Sequence, residues 1–212
     1  MKKTAWCLVI VSLILMNSCL GVEADISVRA DGSGKINLEY RVSQMLESLG
    51  RLDGNERWPS IPVGRADFER TVARIQGLSL LSYSSKEVPS VNNVLGGRDL
   101  LTKVSLEFKD VSALSAFWGS GSAGSSAGNI LRLVLLDLSS DTIDEDLLAL
   151  LKEISAGYEI SFSLSAPKNA ALSLSPSVSS ARVVTQGKKV SFAIGMGDLL
   201  DLKDGLAVEI SW

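Results

Sequence analysis

The stretch from Asp25 to Val42, DISVRADGSGKINLEYRV, leaves this chain the least freedom in what it can fold into. Ile26 and Val28 alternate with polar neighbours, and Ile36, Leu38, Tyr40 and Val42 do the same. A period of two places each apolar set on one face of a strand. Between the two sets, Asp31-Gly32-Ser33-Gly34 supplies glycines for the positive φ that a tight hairpin turn requires. The result is a hairpin with one dry face, which something else in the chain must cover.

The rest of the chain supplies more of both elements. SQMLESLG places Met45, Leu46 and Leu49 on one face of a short helix stopped by Gly50. RADFERTVARIQG spaces Phe68, Val72 and Ile75 at helical intervals and ends on Gly77. LSLLSYSS and LTKVSLEFKD read as strands, the second with Thr102, Val104, Leu106 and Phe108 facing one way. Asp110 is placed to cap a brief helix, VSALSAFW. NILRLVLLDLS is apolar on both faces, which predicts a central strand. DTIDEDLLALLKEISAG predicts the longest helix, with Thr142 and Glu145 as a capping box and Gly157 as its stop. YEISFSLS, ALSLS, ARVVTQ, KKVSFAIG and LAVEISW then make the last third rich in strands. VSLEFKDVSALSAF and VSFAIGMGDLLDL echo one another as strand, helical turn and further strand, the pattern of a duplicated unit. The predicted class is α+β: a mostly antiparallel sheet with three to four helices packed on one face.

The N-terminus reads as an address. Met1-Lys2-Lys3 is a basic start, and AWCLVIVSLILM from Ala5 to Met16 is apolar. About a dozen residues in a helix span under ~20 Å, short of a bilayer core near ~30 Å. A secretory signal peptide has this form. Leu15-Met16-Asn17-Ser18-Cys19 resembles the lipobox of bacterial lipoproteins, in the relaxed form found in spirochaetes. That resemblance implies cleavage before Cys19 and acylation of its thiol. Residues 1–18 are then the signal, 19–25 a lipidated tether of at most about 25 Å, and 26–212 one domain with a flexible Gly/Ser loop at 119–128. Cys7 falls in the discarded signal, so the mature chain has no disulfide.

Charge and composition narrow the chemistry. Loss of Lys2 and Lys3 turns 21 basic and 24 acidic residues into 19 and 24, a net charge of −5 with no basic cluster. Nucleic acid is therefore excluded as an expected partner. The chain has no histidine, and the mature chain no free cysteine, which removes the commonest general base, metal ligand and thiol nucleophile. No cofactor, metal site or catalytic residue is expected, and the expected protein is not an enzyme.

The motifs that remain fit structure better than chemistry. GSGSAG at 119–124 and GSSAG at 124–128 spell nucleotide-loop and serine-elbow patterns, but neither lies between a strand and a following helix. Ser165-Ala166-Pro167-Lys168 spells S-x-x-K, yet it trails a strand where the serine enzymes use a helical turn. Asp141, Asp144, Glu145 and Asp146 suit the first turn of a helix and lack the calcium-loop pattern. Trp58, Trp118 and Trp212 read as core or rim residues. Trp118, beside the Gly/Ser loop, is the candidate for contact with a ligand or a membrane.

ADISVRADGSGKINLEY, ISFSLSAPKN and LAVEISW together resemble the LppM-like lipoproteins of bacteria. The resemblance implies a lipid-anchored envelope domain whose relatives are linked to lipid or glycolipid binding; no binding residue carries over. The expected protein is a non-enzymatic envelope lipoprotein, anchored through Cys19 with its domain outside the cytoplasm on the periplasmic side. It binds a lipid or other amphiphile, or it serves as an adaptor that docks another envelope protein.

Overall fold

The computed structural model describes residues 20–43, 64–91, 97–118, 129–136, 148–149, 152–153, 155–202 and 205–212. The hairpin forms as its alternation dictates. β1 (Leu20–Val28) and β2 (Gly34–Ser43) pair antiparallel from Leu20 opposite Val42 to Val28 opposite Gly34. Ala24, Ile26, Val28, Ile36, Leu38 and Tyr40 are buried, and the residues between them face outward. In the turn, Gly32 takes φ +83°, and the Ser33 hydroxyl and amide both donate to Asp31 Oδ1 at 2.7 and 3.0 Å. Those bonds, the hydroxyl's first, hold the Asp31 carboxyl below its ordinary pKa. Gly34 has a different role: Phe108 lies across the place its side chain would fill.

Helix α1 (Arg65–Arg74) follows, with Asp67 accepting from the Gly64 amide at 3.1 Å and Gly77 at φ +85° beyond its end. Phe68 is fully buried, its ring 5.8 Å from Tyr40 and 5.9 Å from Tyr83, which fixes the helix to the sheet. Burial also pushes the Tyr40 phenol pKa up. β3 (Leu78–Pro89) and β4 (Arg98–Phe108) pair antiparallel. A bulge between Leu80 and Ser82 shifts the parity of β3 and leaves Leu81 48% exposed. Asp110 caps α2 (Val111–Phe117) by accepting from the Ala113 amide at 2.9 Å. Asp110→Ala is expected to cost about 1 kcal/mol, read as a lowered urea midpoint, with Asp110→Asn close to neutral.

The remaining strands are β5 (Ile130–Leu136), β6 (Glu159–Ser165), β7 (Ala171–Ser175), β8 (Arg182–Gln186), β9 (Lys189–Gly195) and β10 (Leu206–Ser211); α3 (Met196–Leu200) joins the last two. They complete a seven-stranded sheet in the order β3-β4-β2-β1-β6-β9-β8 and a three-stranded sheet in the order β5-β10-β7. The β1–β6 pair is parallel, and the other pairs are antiparallel. One core joins the inner face of the large sheet, through residues such as Ile26, Leu106 and Phe192, to Leu131, Leu133, Val208 and Ile210 of the small one.

This corrects the α+β expectation. Besides the helical residues at 148–149 and 152–153, the described residues hold ten strands and three short helices, so the protein is mostly β, and a second sheet shares the cover of the first with the helices. The short C-terminal strands, read as continuations of one sheet, divide between two. β5 is likewise an edge strand and not a central one: Leu131 and Leu133 are buried, but Ile130 and Val134 are 40% and 54% exposed. Residues 20–25, expected to form a free tether, already belong to β1. The predicted helix at 43–50 lies outside the described residues apart from Ser43, which ends β2. Of the helix expected after Asp141, the described residues are 148–149 and 152–153, which are helical, and the turn 155–157, where Gly157 takes φ +85°.

The echo seen in the sequence has a structural counterpart. On one side of β1 the strands run β2, β4, β3; on the other they run β6, β9, β8. β2 is antiparallel to β1 and β6 parallel to it, so the two flanks run in opposite senses, as a two-fold axis through β1 and normal to the sheet requires. From each flank a strand (β4 or β9) passes through a short helix (α2 or α3) into the small sheet. There β5 and β10 lie side by side and antiparallel.

Candidate functional site

The outward side chains of the large sheet form a broad polar surface. Strand register sets them in rows. One row reads Ser84, Lys103, Glu39, Glu23, Ser161, Ala193 and Arg182; the next reads Ser82, Ser105, Asn37, Asp25, Ser163, Ser191 and Val184. Neighbouring strands lie ~4.8 Å apart, so each row presents polar groups at about that interval, broken by Ala193 in the first row and Val184 at the end of the second. Small serine side chains leave the surface hollow. A trough of about 450 Å³ lies over β3, β4, β2 and β1, and one of about 290 Å³ over β1, β6, β9 and β8. They occupy the two related flanks, and Glu23 lines both.

Each trough carries one exposed cation held by a glutamate. Lys103 lies 2.5 Å from Glu39, and Arg182 lies 2.5 Å from Glu159. Ser163 donates to Asp25 at 2.5 Å, and Ser105 donates to Asn37 at 2.9 Å. Glu23 stands directly opposite Glu39, and among the described residues it has no ion-pair partner. Like charges facing one another across a strand pair disfavour the free face slightly and favour a partner that brings positive charge or hydrogen-bond donors. The face offers hydroxyls, carboxylates and, besides the two trough cations, the exposed Lys35 and Lys189 nearer the Arg29–Ser33 turn.

A second polar group is enclosed at the Leu20 end of the same sheet. Asp99 is 0% exposed. Its Oδ1 accepts from the Tyr158 hydroxyl at 2.9 Å, its Oδ2 accepts from the Val91 amide at 3.2 Å, and Arg41 Nε lies 3.6 Å away. Ser90 Oγ lies 3.2 Å from the Tyr158 oxygen. Each oxygen of the carboxylate accepts a hydrogen bond, so this group clasps residues 90–91 to β4, to Arg41 of β2 and to Tyr158 just before β6.

The residues singled out in the sequence fall elsewhere. Cys19, Trp58, the Gly/Ser loop 119–128 and the acids at 141–146 lie outside the described residues. Ser165 and Lys168 flank the end of β6, where Ala166 and Ala170 bond through their amides to the carbonyls of Lys188 and Gly187, both at 2.8 Å; the S-x-x-K pattern is a clasped turn. Trp118 packs edge-on against Phe117 and Phe162, with ring centroids at 5.5 and 6.4 Å. Its ring faces the core, and its buried Nε1 has no hydrogen-bond partner among the described residues. Trp212 also packs partly buried on the core. Among the described residues, no three His, Cys, Asp or Glu side chains are grouped to hold a metal, and no helix is long and apolar enough to cross a membrane.

Fold and face together define a mostly β, two-sheet domain with an open polar face on its larger sheet. No protein-family model matches the sequence, and no curated protein matches it. Among solved structures, a crystal structure of a protein described as a "putative protease" from Parabacteroides distasonis overlaps it at 11% identity and a TM-score of 0.37. The overlap covers 91% of this chain and 40% of that one, so this chain spans well under half of that protein. A likeness so slight carries no argument about fold or activity.

Proposed function

We propose that this protein is a lipid-anchored lipoprotein of the bacterial cell envelope, non-enzymatic, whose domain docks another envelope protein through the polar face of its large sheet. The observation that carries the anchor is Leu15-Met16-Asn17-Ser18-Cys19 at the end of a short apolar run, directly before the first residue of β1, Leu20. Each buried CH₂ of an acyl chain contributes about 0.8 kcal/mol to membrane residence, so two or three chains hold the domain at the bilayer. Docking is favoured over capture of a lipid or amphiphile by the lining of the two troughs. Amphiphile sites are mostly apolar recesses that enclose their ligand, whereas these troughs are open to solvent and, beside apolar residues such as Tyr83 and Val184, carry the ionisable side chains of Glu23, Asp25, Glu39, Lys103 and Arg182.

The anchor is tested by intact mass and by detergent phase partition. The native protein is expected to carry diacylglyceryl on Cys19 and enter the detergent phase, and Cys19→Ala to lose the acyl mass. A native product with an unmodified thiol, or one cut at another bond, overturns the anchor. Docking is tested by crosslinking in native membranes. A partner captured by the native chain and lost with Glu23→Lys supports it; equal capture by both places the contact elsewhere.

A further inference from the structure

β1 leaves no slack between the anchor and the sheet: Cys19 is followed at once by Leu20, the first residue of a central strand hydrogen-bonded on both sides. An acyl chain on that thiol therefore holds one end of the large sheet at the bilayer, whatever the rest of the domain does. Strand register identifies the other segments at that end. Leu20 is opposite Val42, Val42 opposite Leu100, and Leu100 opposite Glu87, so the end of β2, the start of β4 and the end of β3 lie beside it. Val42, Val88 and Leu100 are half-buried there, Pro89 is exposed, and Val91 is 40% exposed. Arg98 lies in the same rim, paired with Glu87 at 3.1 Å, where its side chain can reach lipid headgroups.

The opposite end differs in chemistry. The turn Arg29–Ser33 stands about 30 Å from Leu20 along β1, at ~3.3 Å per residue. It carries Arg29 and Asp31, with Glu107 3.4 Å from Arg29. Such a tip belongs in water.

We propose that the rim formed by Val42, Val88, Pro89, Val91 and Leu100 rests on the bilayer that holds Cys19, with the Arg29–Ser33 turn pointing away and the polar sheet face standing upright beside the membrane. This inference rests on the lipoprotein reading and adds a fixed orientation to it. Trp118 takes no part in the contact: it packs on Phe162, which is paired with Ala24, about halfway along β1.

Because the mature chain has no cysteine besides Cys19, single cysteines can be labelled selectively. The acylated full-length product, bearing Val91→Cys, Pro89→Cys or Asp31→Cys with a nitroxide, is reconstituted into phosphatidylcholine and phosphatidylglycerol vesicles. Collision of each label with oxygen and with a water-soluble nickel complex is then measured. Labels at 89 and 91 are expected to be oxygen-favoured, as in lipid, and the label at 31 nickel-favoured, as in water. Two rim positions are used so that one poorly folding variant does not decide the result. Vesicle-bound protein with all three labels nickel-favoured, or with position 31 in lipid, overturns the orientation while the anchor stands. Protein that lacks the acyl mass and fails to float with vesicles overturns the anchor, and the orientation with it.

Discussion

Replacing Asp99 with alanine is expected to cost the domain about 2–5 kcal/mol, because it strands two donors at ~1–3 kcal/mol each where they are buried. The carboxylate is shut off from solvent and receives the Tyr158 hydroxyl, the Val91 amide and, less closely, Arg41. Alanine leaves the hydroxyl and the amide without their acceptor and Arg41, itself partly buried, without its counter-charge. Unmade buried hydrogen bonds cost more than made ones contribute, so the loss exceeds the net worth of the contacts. Asp99→Asn keeps an acceptor toward only one of the two donors and turns an NH₂ toward the other; its cost falls between those of Ala and the native residue. Tyr158→Phe removes one charge-assisted bond, for about 1.5–3 kcal/mol. The double variant with Asp99→Ala is then expected to cost less than the two single costs added together. Urea unfolding measures all four, and hydrogen exchange at the Val91 amide reports the clasp itself. A cost under about 1 kcal/mol for Asp99→Ala would show that the carboxylate is not the acceptor holding residues 90–91 to the sheet.

Much of the framework was legible wherever a local rule had one solution. Alternation around Asp31-Gly32 forced the β1–β2 hairpin, helical spacing of Phe68 and Val72 gave α1, and Asp110 capped α2 as its position demands. What a period cannot carry is the identity of a neighbour. NILRLVLLDLS has the composition of a buried strand, yet β5 is paired on one side only, because its place depends on β10 some seventy residues away. Leu81 looks like one more apolar residue in β3 until the bulge turns it outward. The second sheet was missed for the same reason: short strands such as ALSLS satisfy either sheet equally well on their own sequence.

The polar face was still less legible. Asn37, Ser105, Asp25 and Ser163 are each just the wet member of an alternating pair, and only the register of separate strands sets them in a row. Asp99 gave one usable signal that was passed over. It is an acid in the same phase of β4 as Lys103, Ser105 and Glu107, so its spacing reads as one more wet position. The sign of something else is Leu101, which interrupts that polar phase, and it is the 90–91 segment that covers Asp99. The echo was faint because its two stretches share strand–helix–strand order and an outward Lys and Ser, Lys103 and Ser105 on β4 against Lys189 and Ser191 on β9, but then differ at Glu107 against Ala193.

Gly34→Ala is expected to unfold the domain or lower its stability by about 3 kcal/mol or more, the upper range for an overpacked site. A Cβ at position 34 would stand 2.0 Å from the Ser27 carbonyl oxygen and 2.3 Å from Phe108 Cζ. Neither neighbour can yield cheaply. Ser27 is backbone inside the β1–β2 ladder, and Phe108 is fully buried and paired directly with Gly34 across β2 and β4. To admit one methyl group the ring must leave its place or the hairpin must part from β4, and either opens the core where Ile26, Ile36 and Leu106 meet. Two other glycines separate this steric demand from a conformational one. Gly32 has open space around its Cβ position but a φ of +83°, so Gly32→Ala is expected to cost only the ~1–2 kcal/mol of a left-handed residue. Gly97 has neither constraint, and Gly97→Ala is expected to be near neutral. Urea midpoints in the order Gly97→Ala, Gly32→Ala, Gly34→Ala, from highest to lowest, are the expected result. If Gly34→Ala instead proves as mild as Gly32→Ala, Phe108 does not lie across the hairpin, and the pairing of β2 with β4 must differ from the register that builds the polar face.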